Sequence, residues 1–450
     1  MSTASPIATE NLRPLLARQS GWAERYLIFL GLVLLGYALD GRGFAYLGYP
    51  PLYIGELTMV IGMAVLVLTP GWSKLFQSPP MLALVPLFLL GALHTALDFP
   101  NYGIDAIRDA AIYYYAIFAI IVAGLIINDP RRLMLAISMY RRFIPIFLIG
   151  IPIIAIVYRF FWNSLPRWPG GDIPMIQEKE GDVMVQLAGI FAFWTAGMIG
   201  AFSLAWTALL AANAAVLGVV DRAGLLSFGT AVGIGMVRSP KSALAWRMIA
   251  AVVAALVLLW ASGLRIEVPG GKGRELSFEQ IVLNVTSIAG SSGREGMDST
   301  KEWRLDWWQD IVADTIHGRH FWWGLGFGVN LADEYGYQVL ADHSLRSPHD
   351  AHMTILARMG VPGLALWALV LFTWIFQIGR AFLRARATRD RGWESIFFFL
   401  AVFWIAFLIN ASFDVYLEGP MGGIWFWCIF GLGAGALWVY ERHPETIYQS

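Results

Sequence analysis

One segment near the C-terminus concentrates side chains able to do chemistry. Arg346-Ser347-Pro348-His349-Asp350-Ala351-His352 runs straight into an apolar stretch that begins at Met353 and carries Gly360 and Gly363. A neutral imidazole can take a proton from a hydroxyl near neutral pH, which makes His349 a catalytic or substrate-orienting candidate. A buried or helix-capping histidine is the alternative reading. Asp350, next to it, is placed to orient His349 or raise its basicity. His349 and His352 lie three apart with Asp350 between them, ligand types that zinc or manganese accepts. No third ligand at a convincing spacing accompanies them, so no metal and no other cofactor is expected.

Arginines supply the second kind of chemistry. Arg222 stands at the end of an apolar stretch, between Val220 and Leu225. Placing arginine at the centre of a membrane helix costs about 2.5–3.5 kcal/mol, and the cost falls at the interface. Either Asp221 neutralises Arg222, or its guanidinium holds an anionic group through paired hydrogen bonds. Arg304 belongs to Asp298–Ile311, where Ser299 and Glu302 have the spacing of a capping box. Trp303, Trp307, Trp308 and Ile311 fall on one face of that helix. It reads either as a helix lying on the bilayer through its tryptophans or as one that also carries Arg304 to a substrate. Arg108 follows Asp105 by three residues and reads as an anchor paired with it, or as a further site residue. The string Gly324-Leu-Gly326-Phe-Gly328 has no strand–helix context for a nucleotide fold, so its glycines are expected to turn the backbone back toward the membrane.

These groups need elements to hold them, and composition names the elements. Of 450 residues 57% are hydrophobic and 14% charged, where a soluble domain carries about 25% charged. The mean hydropathy is +0.59. An all-α polytopic membrane protein follows. Net charge is zero and points to no nucleic acid, while the bilayer is a partner by necessity. Stretches long enough to cross fall at roughly 26–40, 53–70, 80–97, 111–128, 143–161, 184–200, 201–220, 223–237, 248–264, 353–378, 394–413 and 421–440, about twelve spans. The span at 223–237 is short and glycine-rich. Arginines and lysines cluster at 131–142, 238–247 and 380–391, which makes that side cytoplasmic and puts both termini inside. Residues 1–20 have no apolar core before a cleavage site and read as a retained tail. The chain divides into a transmembrane bundle (1–264), one large, partly helical outer loop (265–352) and C-terminal transmembrane helices (353–450). Cys428 lies alone in an apolar run and reads as a packing residue.

Three motifs in this order resemble the O-antigen ligase and polymerase family, bacterial inner-membrane glycosyltransferases that use glycans carried on undecaprenyl diphosphate. They are Asp221-Arg222-Ala223-Gly224-Leu225-Leu226; Gly293-Arg294 with Arg304-Leu-Asp-Trp307-Trp308 and Gly324-Leu-Gly326; and His349 followed by Gly360 and Gly363. Asp350 stands where the family usually has Asn, and Asp221 where it has a small hydroxyl residue. The resemblance implies a periplasmic site. A lipid-diphosphate glycan would be the donor, and a glycan or lipid A core the acceptor. Arg222, Arg304, Arg294 and Arg346 would bind the diphosphate, His349 would be the base, and no metal or nucleotide would be used. Asp350, His352 and Arg108 are secondary candidates. A lipid-linked-glycan transporter is the competing class. It predicts charged or broken helices at mid-bilayer and inverted repeats, whereas the charges here gather at one edge.

Overall fold

The computed structural model describes residues 21–70, 72–169, 173–200, 203–218, 221–238, 243–263, 265–267, 275–277, 279 and 295–448. The tail expected over residues 1–20 and the site candidate Arg294 lie outside them. The protein is an all-α polytopic membrane protein. Its long helices are α1 (Trp22–Ala45), α2 (Ile54–Leu68), α3 (Pro79–Tyr102), α4 (Ala111–Asn128), α5 (Arg131–Phe161), α6 (Glu180–Thr195), α7 (Leu204–Gly218), α8 (Arg222–Arg238), α9 (Ala243–Ser262), α10 (Glu295–Thr315), α11 (Ala351–Ala387), α12 (Arg391–Ala411) and α13 (Pro420–Arg442). All but α10 coincide with the stretches expected to cross. Among the described residues seven helices are long and apolar enough to span a membrane, namely α1, α3, α4, α5, α11, α12 and α13. Helices α2 and α7 and the Ile249–Ser262 part of α9 are apolar but shorter. Helices α6 and α8 have 16 and 17 residues.

Without a hydrophobic drive between helices in lipid, small residues and close packing hold the bundle. Helix α13 lies along α4, α8 and α12 lie along α6, and α11 lies along α3 and α12. At Gly431 a Cβ would come within 2.6 Å of the Ala119 carbonyl oxygen, so only glycine allows that approach. Cys428 is buried in this packing, as expected.

One break in the bundle positions the site. Inside α11, Gly360 has φ +65°, and Pro362 has no N–H to give the Arg358 carbonyl. The freed groups find partners in the glycine string and in Phe321 just before it. Val361 N donates to Phe321 O (2.8 Å), Leu325 N to Ala357 O (2.8 Å) and Gly326 N to Arg358 O (2.9 Å). Unpaired backbone groups are costly in a membrane setting, so helix break and loop form one unit. Gly324, Gly326 and Gly328 all have positive φ, consistent with the turning role expected of them. Gly360→Val is expected to cost about 2 kcal/mol or more from backbone strain alone. Its Cβ would also lie 2.5 Å from the Phe321 carbonyl oxygen. Thermal unfolding in detergent measures the loss.

Helix α10 begins at Glu295, so Ser299 is inside it and does not cap it. Its aromatic face meets protein. Trp307 and Ile311 are fully buried with Leu331, Leu356 and Ala357. Trp307 stacks on Tyr337 at 5.3 Å, and Trp308 Nε1 donates to Pro348 O at 2.9 Å. The helix is thereby docked on the first turns of α11 and the segment before it, a more rigid mount for Arg304 than a helix floating at a bilayer surface.

Candidate functional site

Asp350 starts α11. Its carboxylate accepts from His352 N (2.7 Å) and Met353 N (2.9 Å), and its carbonyl accepts from the Thr354 hydroxyl (2.9 Å). This N-cap fixes the helix end. His349, one residue before it, has φ +56°, a strained setting for a residue with a side chain. The carboxylate nearest its ring is that of Asp414, with Nδ1 of His349 3.8 Å from Oδ1. That gap is long for a direct hydrogen bond but close for electrostatics. The carboxylate nearest the ring is therefore that of Asp414, while the Asp350 carboxylate, which the sequence suggested for orienting His349, is engaged at the helix cap.

Asp414 sits in the short loop between α12 and α13. Its Oδ2 forms an ion pair with Lys179 Nζ, and Lys179 also approaches Asp182 Oδ1 at 4.0 Å. Burial by itself would push the Asp414 carboxyl up. The adjacent Lys179 ammonium overrides burial and holds it well below the usual carboxylate range. His349 is held below the ordinary histidine value, first by burial; Arg304 pushes the same way and Asp414 opposes. Arg304 NH1 donates to the carbonyl of Phe413 at 2.8 Å, so α10 and the Asp414 loop are tied together.

Arg222 is the first residue of α8 and is half-buried. Asp221, just before it, accepts from Gly224 N at 2.6 Å and acts electrostatically on Lys179 and Asp182. A Cβ on Gly181 would meet Asp221 Oδ2 at 3.1 Å and Asn410 Oδ1 at 3.2 Å, so the N-terminal ends of α6 and α8 and the C-terminal end of α12 touch there. Asp182, Asn410 and the Tyr416 hydroxyl have buried polar atoms without hydrogen-bond partners beside this group.

Arg346 goes elsewhere. It grips Asp109 with Nε to Oδ1 (3.2 Å) and NH2 to Oδ2 (2.8 Å), and NH2 also donates to Gly328 O (2.8 Å). Arg358, fully buried, reaches the same Asp109 Oδ2 at 3.0 Å and donates to the carbonyls of Gly326 and Val329. Asp109 also accepts from Gly328 N, and Asp98 from Phe327 N. This is a clamp joining the glycine string to the end of α3 and the segment after it. Arg108 does pair with Asp105, at 3.2 Å, and also nears Asp109 at 3.5 Å. Half-exposed, it anchors weakly. His352 lies between the Ser412 hydroxyl (3.1 Å) and Trp367, whose Nε1 donates to His352 Nδ1 at 2.9 Å. With that nitrogen accepting, the neutral tautomer carries its hydrogen on Nε2 and donates to Ser412.

Sequence reasoning missed Lys179, Asp182 and Asp414. They sit in or beside short loops between spans, and the one available signal was that a lysine and an aspartate there are flanked by apolar helices. Among the described residues no group of three or more His, Cys, Asp or Glu could hold a metal.

Residues 200–368 match the family model described as O-antigen ligase. That segment is similar to the O-antigen ligase family. No curated protein matches the chain. The O-antigen ligase segment takes in Arg222, Arg304, Arg346, His349 and Gly360, whereas Lys179 and Asp414 lie outside it.

Proposed function

We propose that the protein is a glycosyltransferase. It would move a glycan from an undecaprenyl-diphosphate carrier to an acceptor hydroxyl at the periplasmic face of a bacterial inner membrane, with both termini cytoplasmic. The observation that carries this reading is that Arg304, His349 and the Asp221–Arg222 helix start border one group of charges built around Lys179 and Asp414. An O-antigen ligase segment covering all of these but Lys179 and Asp414 supports it.

In the reaction, His349 takes the proton of the acceptor hydroxyl as that oxygen attacks the anomeric carbon. The bond from that carbon to the diphosphate oxygen breaks, and the electron pair stays with the phosphate. Arg222 and Arg304 neutralise the departing diphosphate, the charge-stabilising role that is worth most when donors are fixed beforehand. Attack opposite the leaving group inverts the anomeric centre. The described part of the outer block, residues 295–352, forms the glycan side of the site, and neighbouring helices admit the lipid.

The test is transfer in liposomes from an undecaprenyl-diphosphate oligosaccharide. A ladder of products identifies a polymerase, and a single addition to a lipid A core identifies a ligase. Arg222→Ala is expected to abolish transfer at an unchanged protein level. Transfer at the wild-type rate by that variant overturns the diphosphate role of Arg222.

A further inference from the structure

We infer that Lys179 is a positioning residue that keeps His349 in its neutral, proton-accepting form by occupying the far oxygen of the Asp414 carboxylate. The inference rests on the reading of His349 as the base.

Asp414 has two oxygens with different duties. Oδ1 accepts from Val415 N at 2.8 Å and faces His349 Nδ1 at 3.8 Å. Oδ2 is taken by the Lys179 ammonium. A carboxylate beside an imidazole favours the imidazolium and so tightens the proton on it. A histidine held that way would already carry the proton it must accept. An ammonium on the far oxygen cancels much of the carboxylate's field at the ring. The charged groups around His349 come from several elements. Asp414 comes from the loop between α12 and α13, Arg304 from α10 and Lys179 from the segment before α6, while its own neighbour Asp350 is engaged as the α11 cap. Behind Lys179 stand Asp182 and Asp221, both of which act on it. The nearest carboxylate is thus opposed by two cations. Without Lys179 it would face one.

Lys179 is tied on both sides, to Asp414 directly and to Asp182 at 4.0 Å. Removing one member of the Lys179–Asp414 pair has the opposite consequence for His349 from removing the other. Removing Lys179 leaves Asp414 to bear fully on His349. Replacing the Asp414 carboxylate by an amide removes the pull on the imidazolium and leaves the Lys179 ammonium without that counter-charge.

The experiment is the pH profile of transfer from undecaprenyl-diphosphate oligosaccharide by the full-length protein in liposomes, for wild type, Lys179→Met, Lys179→Arg, Asp414→Asn and His349→Gln. Lys179→Met is expected to move the acid limb up by about one pH unit, so that the rate on that limb falls about tenfold while the neutral-to-alkaline plateau stays within a few-fold of wild type. Lys179→Arg should keep the wild-type limb. Asp414→Asn should move the limb down, and this opposite shift decides the matter if Lys179→Met does not fold. A limb unmoved in folded Lys179→Met, or unmoved or raised in Asp414→Asn, overturns the inference. Inactive His349→Gln alongside such an unmoved limb leaves the base reading standing and removes only the role of Lys179. Wild-type transfer by His349→Gln overturns the base reading itself.

Discussion

His349→Gln is expected to lower glycan transfer by roughly 10²- to 10⁴-fold, the usual contribution of a positioned general base. Glutamine keeps a polar side chain facing Asp414 but has no nitrogen that accepts a proton. The backbone consequence is small, because both residues meet the same positive φ at position 349. Protein level and thermal unfolding should therefore match wild type while turnover collapses. The pH dependence carries a sign. His349 works when neutral, and burial holds its proton affinity below the ordinary histidine value. Wild-type transfer is then expected to stay on its plateau as pH falls past the point where a free imidazole would be half protonated, and to decline only below it. A decline starting at or above the free-imidazole value would contradict this environment.

Asp109→Ala is expected to have the largest effect on stability, about 3–5 kcal/mol, the cost of breaking a buried ion pair from one side. Asp109 is 5% exposed and is shared by Arg346 and by Arg358, which is completely buried. Removing the carboxylate strands the fully buried Arg358 guanidinium. It also removes the acceptor of Gly328 N, and so loosens the glycine string on the broken helix. Thermal unfolding in detergent gives the direct measure. Because replacing both members of a buried pair by apolar groups is often near neutral, Asp109→Leu with Arg358→Met should recover much of the loss. A double variant as unstable as the single one would mean that the loss of the Arg346 pair and of the hydrogen bonds to Gly326, Gly328 and Val329, not the stranded Arg358 charge, accounts for the effect.

The contrast between Arg304 and Arg346 says what was legible. In the sequence both are arginines in the same polar block, and both were candidates for the diphosphate. Arg304 comes to the Asp414 loop, whereas Arg346 is gripped by Asp109, 237 residues away. A guanidinium for a ligand and one for a carboxylate of the fold are the same side chain, and only the partner distinguishes them. Asp350 makes the same point at short range. Next to His349 in sequence, it turns its carboxylate to the helix cap, and Asp414 takes the place beside the ring.

What the sequence alone determined is everything that depends on local pattern. Apolar stretches of bilayer length became helices, because backbone amides in lipid must pair within their own segment. The glycine string was legible as a turn, and the order of Arg222, Arg304 and His349 carried the family resemblance. Tertiary structure decided what depends on partners from distant segments. It gave Arg346 and Arg358 to Asp109, docked the tryptophan face of α10 on protein, closed the break at Gly360 with the glycine string, and brought Lys179 and Asp414 to His349. The reason is the same in each case. Charge and hydrogen-bonding capacity are written residue by residue, but their energies depend on separation and burial, and those exist only once helices far apart in the chain have packed.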